Sequence, residues 1–386
     1  MNMETRTLPK DFLQPTGHGE CAVACPASLS TESTLAEILL FARQDGASDV
    51  HLSTNAPGNL RKAGALRQVT EGAFTADRLA QMLEQSLPAD KWQKVKETGD
   101  IEFVHALPGG GRFRMVVNRQ RFGWDLTARV IDKEIRTFEA SGMPASCQGL
   151  TKWAQGLVLV AGPAGCGKSS TLATLVEMVN QTRDDHIITI ENPIEIVYTP
   201  RKCQISQREV NLHTLSSANA LRAALREDPD IIIVSELRDL ETIQLAVTAA
   251  ETGHLVFATM NTNNAAQTIT SLIGSFSPDE QPVIRNMVAE SLRGVICQQL
   301  IPASDGQSVV PAFEVLVMNS AAGAMIKSGR TNQINNVIAT GKNEGMVLLD
   351  NAMLALVSKG AIKGQEAYRR AINQNLFAQY GGNAHG

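Results

Sequence analysis

Between an apolar stretch, GLVLVA, and a second one at helical spacing, TLATLVEMV, lies GPAGCGKSS, residues 162–170. Gly162 is followed by four residues and then by Gly167, Lys168 and Ser169. This is the spacing of a phosphate-binding loop, and a strand before it with a helix after it is the context such a loop needs. Gly162, Gly165 and Gly167 let backbone N–H groups wrap an anion. Pro163, Ala164 and Cys166 complete the loop, and Ser170 continues the helix, whose N-terminus favours negative charge. The Lys168 ammonium would reach the outer phosphates of a nucleotide, and the Ser169 hydroxyl would ligate Mg²⁺.

A magnesium nucleotide also needs a carboxylate on a neighbouring strand. The run DIIIVSE supplies Glu236 after four consecutive apolar residues, Ile231 to Val234. A strand apolar at every position is buried on both faces, and the carboxyl end of such a strand opens on the crevice where ligands bind. Glu191 closes IITIE in the same way. One of the pair would hold Mg²⁺ through water while the other orients the attacking water.

The surrounding sequence must place these groups. From residue 150 onward, short apolar strands (GLVLVAG, HIITIE, DIIIVSE, HLVFATM) alternate with helical stretches, the pattern of a parallel sheet covered by helices on both faces. Beyond residue 280 the sequence reads as helical, including PVIRNMVAESLRGVICQQL, apart from the strand VVPAFEVLVM. Ahead of this lies an α+β region. A capping box at Thr34 and Glu37 opens a helix, Gly46 ends it, and the strands DVHLS, ALRQV, DIEFVHAL, RFRMVVNRQ and WDLTARVID follow, with LPGGGRF as a hairpin turn. The expected organisation is a flexible tail over 1–32, an α+β domain over 33–138, a linker over 139–150 and an α/β domain with a helical C-terminal part over 151–380.

Composition restricts the function classes. Net charge is −4 and aromatic residues make up 4% of the chain, which argues against a nucleic-acid partner. No apolar run approaches the length that spans a bilayer, and the first twenty residues contain no secretory core, so a cytoplasmic location is expected. Cys21 and Cys25 form a lone pair, whereas a structural metal site needs a second pair of ligands.

With these motifs in order, the chain resembles the type IV pilus retraction ATPases of the secretion ATPase superfamily, from about residue 34 to 377. ASDVHLS, GPAGCGKSS, TIENPIEIV, ALREDPDIIIVSELRDLETIQLAVTAAETGHLVFATMNT and SLRGVICQQL carry the resemblance. It implies a PAS-like N-terminal domain followed by a RecA-like ATPase domain, with ATP and Mg²⁺ as ligands. Glu191 falls on the family's catalytic glutamate and Glu236 on its Walker B acid, there contacting Mg²⁺ through water. His254 opens the family's histidine box. Arg114 and Arg129 lie at the spacing of the arginines that reach a nucleotide from the N-terminal domain. Two positions depart from the pattern: Asn192 replaces an aspartate and Asn261 a histidine, which removes one carboxylate and one imidazole but keeps hydrogen bonding. The resemblance further implies a homohexamer at the inner-membrane base of a pilus, acting on a membrane platform protein and reaching the membrane only through partners. An accessory paralogue, a type IV secretion or conjugation ATPase, or a pilus-assembly ATPase would share the nucleotide motifs.

Overall fold

A computed structural model describes residues 28–132 and 134–381. The expected flexibility of the first 27 residues, the Cys21/Cys25 pair and the last five residues lie outside the described part. The chain divides into two compact units between residues 133 and 134.

In the N-terminal unit, β1 (Leu29–Ser30) pairs in parallel with β5 (Thr70–Glu71). Leu29 is buried in the unit's core, so the last residues of the expected tail take part in the fold. β2 (Asp49–Ser53), β3 (Asn59–Lys62), β4 (Ala65–Gln68), β6 (Asp100–Leu107), β7 (Gly111–Gln120) and β8 (Gly123–Val130) form an antiparallel sheet in the order β4-β3-β2-β8-β7-β6. The capping box is present: Thr34 N donates to Glu37 Oε2 at 2.7 Å and Glu37 N to Thr34 Oγ1 at 3.3 Å, opening α1 (Leu35–Gln44). Helices α2 (Ala76–Ser86) and α3 (Ala89–Thr98) follow. Alternation decides which sheet face is covered. Val50, Leu52, Phe113, Met115, Val117, Leu126 and Ala128 join Ile38, Leu39, Leu79, Leu83 and Val95 of the helices in one core. Their neighbours along the strands, Asp49, His51, Arg112, Arg114, Thr127 and Arg129, belong to the other face.

The C-terminal unit begins with α4 (Phe138–Ser141) and α5 (Ser146–Leu150). Most of this stretch was expected as a linker, yet Met143, Cys147 and Leu150 are buried in the unit's core. The strands β9 (Gly156–Ala161), β10 (His186–Glu191), β11 (Gln204–Glu209), β12 (Ile231–Val234), β13 (Leu255–Met260), β14 (Leu292–Pro302) and β15 (Val309–Val317) form one sheet, ordered β11-β10-β12-β13-β9-β14-β15. All neighbours are parallel except β14 and β15. Alternate residues of the central strands enter two cores. Leu157, Leu159, Ile190, Ile232, Val256 and Val295 pack on one face against α7 (Ser217–Ala224), α8 (Leu240–Glu251), α9 (Ala265–Gly274), α10 (Gln281–Ser291), α11 (Ser320–Lys327) and α12 (Ile334–Thr340). Val158, Val160, Ile233, Phe257 and Ile296 pack on the other against α5 and α6 (Lys168–Thr182). α13 (Leu349–Ser358) and α14 (Gly364–Arg370) build a small core around Ile301 and Phe377.

Residues 292–302 are strand β14, not helix. The slot between β9 and β15 offers a ladder on each side, and an added Cβ at Gly294 would lie 2.9 Å from Leu316 O and 2.8 Å from Leu150 Cδ2. Helical spacing in α10 continues past Ser291 in the sequence, but the tertiary pairing overrides it. Edge strand β11 is an addition the pattern did not reveal, since QISQRE is largely polar. Among the described residues no helix is long and apolar enough to cross a membrane.

Candidate nucleotide site

Strand register gathers the site. Ala161 of β9 is paired with Met260 of β13, Val234 of β12 with Ala258 of β13, and Ile190 of β10 with Val234. The strands run parallel, so the loop after β9, Glu191, Glu236 and Asn261 all leave the sheet at its carboxyl edge.

The phosphate-binding loop turns there with Gly162 at φ 148°, Gly165 at φ 76° and Gly167 at φ 92°. A side chain would collide twice: a Cβ on Gly162 would meet Gln298 O and, at 2.5 Å, Cys166 Sγ, and one on Gly167 would lie 2.7 Å from Gln298 Nε2. Gln298 is a buried residue of β14 that props the loop from below. Its Nε2 donates to Cys166 O at 2.6 Å, and its Oε1 accepts from Thr171 Oγ1 of α6 at 2.5 Å. Lys168 Nζ donates to the carbonyls of Gly162 and Pro163 at 2.8 and 3.0 Å, which holds the ammonium over the loop. Burial raises the Cys166 thiol above its ordinary range despite the nearby Lys168 charge, so it serves as a packed neutral group.

Glu236 follows β12 at a crossing between neighbours. Ser235 N donates to Ile190 O of β10 and Leu237 N to Thr259 O of β13, both at 2.9 Å, and this fixes the residue between them. Its Oε1 accepts from Asn261 Nδ2 at 2.5 Å and its Oε2 pairs with Arg238 Nη2 at 2.6 Å. Asn261, noted in the sequence as a departure, therefore touches the acidic residue directly. Arg238 is a contact the sequence reading missed, although it stands two residues beyond Glu236.

Glu191 is set deeper. Its Oε1 accepts from Thr189 Oγ1 at 2.6 Å and from Gln207 Nε2 at 2.9 Å. Loss of solvent raises its pKa to about 7, with the charges of Glu195 and Glu209 adding to the rise and the two hydrogen bonds opposing it. A carboxylate with this proton affinity is suited to exchanging a proton with water near neutrality.

The remaining cradle fits a magnesium nucleotide. Pro163, Ala164, Gly165 and Ser169 are exposed, and Ser169 lies in the first turn of the fifteen-residue α6. Ser169 and Glu236 would be the oxygen donors to Mg²⁺, a hard cation that takes such ligands and retains water.

His254 is not part of this edge. It precedes Leu255, which pairs with Gly156 at the start of β9, so it sits at the amino edge, roughly six strand residues or ~20 Å from the loop. Its ring Nδ1 lies 3.1 Å from Ala249 O and its carbonyl accepts from Gly156 N at 3.0 Å, which ties the end of α8 to the sheet. His254, expected among the catalytic residues, therefore lies at the opposite edge of this sheet from the loop, Glu191 and Glu236. Arg114 and Arg129 belong to the other unit. They are directly paired across β7 and β8, with Arg129 Nε donating to buried Asp49 at 2.9 Å and Arg114 Nε to Glu102 at 2.5 Å.

The family described as Type II/IV secretion system protein matches residues 28–378. The type IV pilus retraction ATPase PilT of Pseudomonas aeruginosa is 40% identical over 337 residues, covering 87% of this chain and 98% of that protein. The chain belongs to this secretion ATPase family, among its PilT-like members. A twitching motility protein of Neisseria gonorrhoeae is 39% identical over 83% of this chain and 85% of its own length. The crystal structure of the pilus retraction motor PilT with bound ADP superposes with a TM-score of 0.77 at 36% identity, covering 90% of this chain and all of that one. The PilT-like protein described here is therefore a nucleotide-binding ATPase with the retraction-motor fold, and the RecA-like reading of its parallel sheet holds.

Proposed function

We propose that the protein hydrolyses ATP at the carboxyl edge of the C-terminal sheet and uses the cycle to retract a type IV pilus. The observation that carries this reading is the register that brings the phosphate-binding loop, Glu191 and Glu236 to one edge. The loop amides, the α6 N-terminus and Lys168 hold the phosphates. Glu191 accepts a proton from the attacking water as its oxygen bonds to the γ-phosphorus, and the bridging P–O bond breaks to release ADP. Mg²⁺, held by Ser169 and through water by Glu236, supplies charge compensation at the phosphate oxygens when bound. Arg114 and Arg129 act on the nucleotide from the N-terminal unit, where their planar, permanently charged forks match phosphate oxygens. Catalysis of this kind rests on alignment and charge rather than covalent chemistry. In a closed homohexamer, gain and loss of the γ-phosphate would drive the cycle that pulls on a platform protein at the cytoplasmic face of the inner membrane.

The test has a biochemical and a cellular arm. Purified protein is expected to show magnesium-dependent ATP hydrolysis that Lys168→Ala lowers by at least about a hundredfold. Turnover equal in the two would overturn the assignment of the site. A strain lacking the gene is expected to carry excess, immobile pili, whereas bald cells would point to pilus assembly instead.

A further inference from the structure

Edge strand β11 reaches the nucleotide edge through one side chain. Gln207 is the cross-strand partner of Thr189, so the two side chains share a sheet face directly beside Glu191. Both N–H groups of the Gln207 amide are used: Nε2 donates to Glu191 Oε1 and to Ile196 O, each at 2.9 Å. Its Oε1 accepts from Tyr198 N at 2.9 Å. Turning the amide over would set an N–H against the Tyr198 N–H and a carbonyl against two acceptors, so its orientation is fixed. The next residue of β11 on this face, Glu209, accepts from Ile194 N at 3.0 Å, which pins the same 194–198 segment a second time. Glu191 is therefore held at Oε1 by two donors from two strands, and Oε2 carries none of these bonds.

We propose that Gln207 is the positioning residue of the hydrolytic carboxylate, fixing which oxygen of Glu191 is presented to the attacking water. The inference rests on the reading of Glu191 as the group that orients this water. It has a second consequence. Glu195, Glu209 and the buried Tyr198 phenol surround Glu191, and both carboxylates favour its protonated form. The Thr189 and Gln207 donors are the groups that oppose them. Removing the Gln207 donor raises the proton affinity of Glu191, so more of the enzyme is protonated and inactive at neutral pH.

The experiment uses the full chain carrying Gln207→Leu, which removes the donors at similar volume, or Gln207→Glu, which keeps an acceptor for Tyr198 N. Steady-state ATPase is measured from about pH 5.5 to 9, alongside binding of a fluorescent ADP. Both variants are expected to lose about ten- to a hundredfold in kcat at pH 7 with KM and ADP affinity within about twofold of the parent. The acidic limb of the rate profile is expected to move up by about one pH unit, so that activity recovers in part at pH 9. An unmoved limb, or ADP binding lost together with turnover, would overturn the positioning role. Glu191→Gln separates the two levels. If that variant turns over ATP like the parent, the reading of Glu191 itself fails. If it is inactive and the Gln207 variants retain the parental profile, only the present inference fails.

Discussion

The two sheets of this protein expose chemistry in different places. In the N-terminal unit the strands are antiparallel and helices cover one face, so polar groups collect on the other face, where Arg114 and Arg129 stand side by side. In the C-terminal unit both faces of the central strands are buried, and the phosphate-binding loop, Glu191 and Glu236 stand where strands end. A parallel sheet with two cores has no free face on which to put a charge, because an unpaired charge there would cost several kcal/mol. Its carboxyl ends instead give a row of loops with every strand pointing the same way. A one-sided antiparallel sheet has the opposite property: its ends alternate in direction, and its open face is continuous.

The contrast can be broken at three points. The largest effect is expected from the open face of the N-terminal sheet. Arg129→Ala should lower kcat about a thousandfold, and Arg129→Lys should recover less than about tenfold of that loss, since a point charge does not replace a fork. Turnover unchanged in Arg129→Ala would mean that the face plays no part in hydrolysis. A middle effect is expected beneath the strand ends. Gln298→Ala leaves Cys166 O and Thr171 without their buried partner, and should weaken ADP binding about tenfold and cost about 1–3 kcal/mol in unfolding by denaturant. Parental affinity in this variant would show that the loop keeps its shape without β14. The smallest effect belongs to the far end of β13. His254→Ala should keep kcat within about twofold and cost about 1 kcal/mol of stability or less. A large fall in kcat there would contradict the placing of the chemistry at the carboxyl edge alone. The acidic limb for the parent follows from Glu191: a base must be ionised, so activity should fall tenfold per unit below its pKa of about 7.

Much of the site was legible because its signals are local. Gly162, Gly167, Lys168 and Ser169 lie within one stretch of eight residues, and the turn they form needs glycine whatever surrounds it. The run before Glu236 announces a buried strand because four apolar residues in a row suit no one-sided element, and IITI before Glu191, interrupted only by Thr189, reads the same way. The place of His254 was not legible for a related reason. The sequence shows that it adjoins a buried strand, but which end of that strand meets the nucleotide follows from strand direction and register. Gln298 and Gln207 were not legible at all. Each lies over a hundred or within twenty residues of its partner, on strands whose helical spacing or polar character gave no local sign of pairing.

By itself, then, the sequence determined the phosphate cradle, the carboxylate pair and the alternation of the two sheets, since these depend on backbone freedom and on which side chains tolerate burial. The tertiary structure alone decided that LRGVICQQL is a strand, that β11 exists, and that amides from both stand behind the loop and the glutamate. Those outcomes depend on ladders between distant segments, whose energy is realised only when neighbouring strands supply the unpaired backbone groups.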